Sequence, residues 1–215
     1  PPAAVRAFRA ADSLFAQARD LAGRAAANQR LGYVLLETGD VRGARERLSL
    51  ALVDAARTGD AAVHAWALMN VAQTELLVGD RAAATASLDR AISLHRQTGD
   101  RPGLVIAEGF LAQLRLDLGQ HDEAARLFAA QRAAFEAQGD GPRVLIALAA
   151  QANVAMHRGR RDEARALLDT LEQRAGSAIE AWDASLPAMR GRLALADGDA
   201  AGARRLLREA RGRFS

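Results

Sequence analysis

Apolar residues recur along this chain at helical spacing, and no segment alternates apolar and polar residues with a period of two. The apolar stretches are punctuated with unusual regularity. Gly39, Gly59, Gly79, Gly99, Gly119, Gly139 and Gly159 follow one another at intervals of 20 residues, and Gly198 comes 39 further on. Aspartate follows most of them, as Asp40, Asp60, Asp80, Asp100, Asp140 and Asp199. The pair has a physical logic. Glycine accepts the left-handed backbone that closes a helix. Aspartate then accepts hydrogen bonds from the free N–H groups of the next helix, and its charge suits that positive end. Fixed-period self-similarity marks a repeat architecture, so the pattern predicts helices joined by tight turns in antiparallel series.

Alternate segments match one another better than successive ones, which makes the unit a helix pair of 40 residues. The predicted pairs cover residues 24–58, 61–98, 102–138, 142–175 and 178–214, preceded by an orphan helix over 3–19. Within the pairs, Ala44, Ala84, Ala124, Ala164 and Ala203 share one position, with Leu48, Leu88, Phe128, Leu168 and Leu207 four residues on. In the first helices Gly32, Ala72, Ala112, Ala152 and Gly191 share a position that is always small. Two small residues facing each other let paired helices approach closely, and the large residue one turn later fills the groove beside them.

This pattern resembles the tetratricopeptide repeat, whose unit reads leucine–glycine and then alanine-x-x-x-phenylalanine. Leu31-Gly32 with Ala44 and Leu48 fits, and Ala124 with Phe128 keeps the aromatic. The usual tryptophan is replaced by Asn28, Leu68, Glu108, Leu148 and Pro187, and the usual tyrosine by Leu35, Glu75, Arg115, Ala155 and Ala194. The longer unit is similar to the repeats of large bacterial transcriptional regulators of the maltose-activator type. The resemblance implies an all-α fold over 1–215 as a single domain: an α-solenoid of about five helix pairs plus a half repeat, wound as a right-handed superhelix. It also implies that first helices line a concave groove holding a protein or peptide.

At the ends, Ala4, Phe8 and Ala11 fall on the positions of Ala44, Leu48 and Ala51, so the chain opens on a second helix, with Pro1-Pro2 at its start. The last helix, bearing Ala203, Leu207, Ala210 and Phe214, is followed by no polar cap. Solenoid ends expose apolar faces unless covered. Two explanations stay open: a piece of a longer regulator, or ends covered by self-association into a homo-oligomer. Gly176 ends its helix early, and Pro187 is expected to bend the one that follows.

The binding surface expected from the repeat spacing is a polar ladder of Tyr33, Gln73, Gln113, Asn153 and Arg192. Gln29, Trp66, Met69, Asn70, Leu76, Leu116, Met156 and His157 are expected beside it. Amides repeated at this spacing suit an extended peptide backbone, and Trp66, Met69 and Met156 suit apolar anchors.

Composition narrows the chemistry. Half of the 215 residues are apolar but only 4% aromatic. Cysteine and lysine are both absent, so all 29 basic residues are arginine and the pI reaches 10.6 at a net charge of only +3. There is no thiolate metal site, and no lysine-terminated phosphate loop. His64, His95, His121 and His157 are scattered and read as surface or turn residues rather than metal ligands. No apolar run approaches the roughly 20 residues of a membrane span. The expectation is a cytoplasmic binding scaffold of a signalling or regulatory kind, not an enzyme and without cofactor. The alternatives are an effector-sensing domain of a transcriptional regulator or a structural homo-oligomer. Nucleic-acid binding is not expected: Arg204, Arg208 and Arg211 share a face of the last helix, but no stacking aromatics accompany them.

Overall fold

The computed structural model describes residues 2–176 and 185–213. Among them the chain is all-helical, without strands, in eleven helices: α1 (Pro2–Gln17), α2 (Leu21–Glu37), α3 (Val41–Thr58), α4 (Ala61–Leu77), α5 (Arg81–Thr98), α6 (Arg101–Asp117), α7 (His121–Ala137), α8 (Gly141–His157), α9 (Arg161–Ala175), α10 (Ser185–Ala196) and α11 (Ala200–Arg213). The chain divides into two compact units, residues 1–111 and 112–215. Each is a run of helix pairs, the arrangement of an α-solenoid.

The predicted punctuation operates as expected. The periodic glycines all take left-handed backbone, with φ between 68° and 86°. Each aspartate that follows one caps the next helix: Asp40 Oδ1 accepts from the Gly43 N–H at 2.9 Å and Asp199 Oδ1 from the Gly202 N–H at 2.8 Å. Gly119 and Gly159 are followed by Gln120 and Arg160, and there the helix start has no side-chain cap. The pattern also runs one step further back than the glycines show. Asp20 caps α2 through the Gly23 N–H, and Arg19 takes the glycine's place with φ 56°.

In the first unit, α2 packs on α3 and α4 on α5. The contact is as close as the small residues allow: a Cβ added to Gly32 would lie 2.6 Å from Leu48 Cγ and 3.4 Å from the Ala44 carbonyl oxygen. Ala44 and Leu48 are wholly buried, as are Ala84 and Leu88 in the next pair. Helix α1 lays Val5 and Phe8 on the Leu31, Leu35 and Ala44 cluster, as its assignment to a second-helix position requires. A polar network reinforces this junction. Arg24 of α2 makes a two-pronged contact with the buried Asp54 of α3, both bonds at 2.6 Å. Buried Asn28, in the tryptophan position, donates to Asp12 of α1 at 2.7 Å, and Arg47 of α3 donates to the other Asp12 oxygen at 2.9 Å. A charge as buried as Asp54 persists only when paired and hydrogen-bonded in this way.

In the second unit α7 packs on α8, α8 on α9, and α10 on α9 and α11. Ala124, Ala164 and Ala203 are again buried, and a Cβ on Gly191 would lie 2.9 Å from Leu207 Cγ. Leu207 is nonetheless 39% exposed, where its equivalent Leu48 is fully buried. No further helix lies over it among the described residues. Helix α9 ends at Ala175, before Gly176. The expected helix over 178–196 falls partly outside the described residues; α10 is described from Ser185, with Pro187 in its first described turn. Pro1 and Phe214 also lie outside them.

Arg19 is the one non-glycine residue with positive φ among those described. Left-handed backbone costs a residue with a side chain on the order of 1–2 kcal/mol, part of which glycine gives back through its freer unfolded state. Arg19→Gly is therefore expected to stabilise the chain by roughly 0.5–1 kcal/mol in denaturant unfolding. A loss of stability would contradict this account of the α1–α2 turn.

Candidate peptide-binding face

The first helices carry the ladder residues because the repeat returns each to the same place on its helix. In the first unit Tyr33 is exposed and Gln73 half-buried. In the second, Gln113 is exposed, Asn153 half-buried and Arg192 exposed. Gln113 donates from Nε2 to Asp117 Oδ1 at 2.9 Å. Adjacent rungs meet directly: Arg192 Nη1 donates to Asn153 Oδ1 at 3.2 Å, although 39 residues separate them. Side chains one repeat apart are thus within reach of a single short ligand segment.

The residues expected beside the ladder divide. Met156 and Leu76 are half-buried and His157 is exposed. Gln29, Met69 and Asn70, at 6%, 2% and 3% exposure, belong to the core, as does Leu116. Placing Gln29, Met69 and Asn70 on the groove is therefore corrected. Packing buries these positions, and a polar side chain there does not imply access to solvent. Asn70 Nδ2 is buried without a hydrogen-bond partner.

Trp66 is half-buried and meets a residue that sequence reasoning misplaced. His95 is completely buried, not a surface or turn histidine, and Trp66 packs edge-on to it with ring centroids 5.4 Å apart. His95 Nδ1 lies 3.0 Å from Asp100 Oδ2, the carboxylate that caps α6. Gly103 admits the ring, since a Cβ there would run into it. The signal was present in the sequence: glycine three residues after the capping aspartate leaves space over the start of α6.

In the second unit a pocket of about 240 Å³ opens beside the ladder, lined by Met156, His157, Gly159, Arg161, Arg192, Leu193 and Ala196. It gathers three of the residues expected on this face, Met156, His157 and Arg192. His121 and His157 stack obliquely with ring centroids 5.5 Å apart. Among the described residues no cluster of three or more histidine, aspartate or glutamate side chains is placed to hold a metal ion. None of the described helices is long and apolar enough to cross a membrane.

No family model matches the chain, and no curated protein does either. Solved structures do. BtubC (BKLC) from P. vanneervenii shares 16% identity over 99% of this chain and 89% of its own, with a TM-score of 0.79. The nearly identical TPR-like repeats of a kinesin light chain-like protein from Podosopora anserina share 19% identity, covering 87% of this chain and 93% of theirs, with a TM-score of 0.69. The fold is that of the tetratricopeptide repeat. A Rap protein complexed with competence and sporulation factor is also similar, at 17% identity and a TM-score of 0.78; 97% of this chain is matched, spanning 58% of that one. At these identities the likeness to other tetratricopeptide-repeat folds is one of architecture.

Burial pushes the His95 pKa down, and the nearby Asp100 carboxylate opposes the shift without overcoming it. His64 is lowered too, by burial and then by Arg90. A native state that holds these rings neutral is fully favoured above the unfolded histidine value of about 6.5, and loses stability as pH falls below it toward the lowered native values. The thermal midpoint is expected to drop between about pH 7 and pH 5, with a shallower drop in His95→Leu. Equal slopes for the two proteins would show that His95 is not held neutral.

Proposed function

We propose that this chain is a protein- or peptide-binding scaffold that engages an extended segment along the first-helix face, in a cytoplasmic signalling or regulatory setting. The observation that carries the reading is the ladder itself. Polar side chains recur at the repeat spacing, remain accessible in both units, and in the second unit touch from rung to rung through Arg192 and Asn153. Backbone amides of an extended ligand need partners at regular intervals, and amide side chains one repeat apart supply them without demanding a particular ligand sequence. Met156 and Trp66, both half-buried, provide apolar contact beside them. The tetratricopeptide fold supports the reading, as does the Rap relative, which was solved with competence and sporulation factor bound. The reading assigns no catalysis to the chain.

The test uses a partner captured from source cells on the immobilised chain and then titrated in pure form. Gln113→Ala combined with Asn153→Ala, both in the second unit, is expected to weaken its binding by roughly tenfold, as loss of two hydrogen bonds should, and to leave the unfolding midpoint unchanged. Equal affinity for wild type and double variant would overturn the proposal.

A further inference from the structure

The turn between α1 and α2 departs from the repeat. Where the later turns carry a periodic glycine in left-handed backbone, Arg19 takes φ 56°. The break in the helix is otherwise slight. The Ala18 N–H still bonds the Leu14 carbonyl four residues back, and Asp20 follows Arg19 in extended backbone at ψ 93°. Residues 14–22 hold no glycine or proline, and most of them are leucine, alanine, glutamine or arginine, which favour helix. Turning Arg19 and Asp20 into helical backbone would join α1 and α2 into one helix over 2–37 and release the left-handed strain.

Helix α1 is also lightly held. None of its residues is fully buried; Ala4, Val5, Phe8, Ala11, Asp12 and Phe15 are half-buried and mark a single face. The surface beneath it is of another kind. Val5 and Phe8 cover the buried cluster of Leu31, Leu35 and Ala44, and Asp12 accepts from the wholly buried Asn28 and from Arg47. Without α1 that surface needs a cover of the same shape and charge, and the α1 of a second copy is one by construction.

We propose that α1 is exchanged between two copies of this chain. The α1–α2 turn opens, α1 and α2 run on as one helix, and each α1 docks on α2 and α3 of the other copy. Docking is antiparallel to α2, as within one chain, so a two-fold axis through the opened turns makes the exchange reciprocal. The contacts of Val5, Phe8 and Asp12 are remade on the other copy, and the backbone strain is released in both; a short hinge under strain favours such exchange. The costs are the Asp20 cap and the packing of Phe15 over Gly23 in the closed turn. The dimer carries two first-helix faces in one assembly, which raises the effective concentration of each for a bivalent partner.

The test follows the full chain by size-exclusion chromatography with light scattering, from micromolar to millimolar concentration, after equilibration just below the unfolding midpoint. Wild type is expected to show a dimer fraction that rises with concentration. Arg19→Gly should weaken the dimer on the order of a hundredfold, because glycine relaxes the closed turn and disfavours the continuous helix in both copies. Arg19→Ala removes the same charge but keeps a helix former, and should stay within a few-fold of wild type. Charge reversal separates exchange from a simple side-by-side dimer. Asp12→Arg and Arg47→Asp each set like charges against each other where α1 docks, whereas exchange in a mixture of the two brings opposite charges together at both docking sites. Native mass spectrometry should find the mixed dimer favoured over either homodimer by roughly tenfold, with helicity retained in circular dichroism. Four results would each overturn the proposal: a wild type that stays monomeric throughout, an Arg19→Gly dimer as strong as wild type, equal loss of the dimer in Arg19→Ala and Arg19→Gly, or purely statistical mixing of the two charge variants.

Discussion

Gly32 lies so close to Leu48 that a single added carbon would not fit without displacing it, and Gly191 stands in the same relation to Leu207. This approach of paired helices through small side chains is the constraint on which the remaining geometry depends. Where the first-helix position is alanine, as in Ala72, Ala112 and Ala152, the opposing Ala84, Ala124 and Ala164 are fully buried. Small, buried residues thus meet at the equivalent place in pairs of both units. Once that contact is set, the turn between helices has to be short, and the glycine–aspartate punctuation meets that need with one left-handed residue and one cap. Register then follows, and with it the recurrence of the ladder residues at equivalent places on successive first helices.

Most of the architecture was legible in the sequence because it is written in residues with backbone or steric roles. Glycine and aspartate act locally, and most of the described helices begin and end beside them. The helix beginning at Leu21 was harder to place because Arg19 occupies the glycine's position, and the period is invisible when its marker is replaced. The buried polar network around Asp54 was not legible at all. Its members, Asp12, Arg24, Asn28, Arg47 and Asp54, come from three helices, and only the packing brings them together. Asn28 in the tryptophan position was the visible sign that something polar fills that space.

The candidate face shows the same division. Tyr33, Gln113 and Arg192 are exposed and Gln73 and Asn153 half-buried, because a strict repeat fixes their side of the helix. Gln29, Met69 and Asn70 went astray because polarity, or an adaptable side chain, was taken as a guide to exposure one helical turn before the ladder. His95 failed in the opposite sense: a histidine near a turn was read as solvated, yet Trp66 and the start of α6 close over it. The pocket beside Arg192 could not be foreseen, since its lining comes from α8, the turn after it, the start of α9, and α10. What distinguishes this chain within its fold is carried by such departures from the repeat, while the repeat itself provides the frame that positions them.

The claim that close contact between small residues sets the frame is tested most directly at Ala84, which is fully buried and faces the helix bearing Ala72. Calorimetric unfolding of Ala84→Leu should reveal a loss of roughly 1–3 kcal/mol, the cost of forcing extra methylenes into a packed contact. Unchanged or increased stability would mean that the paired helices do not meet there.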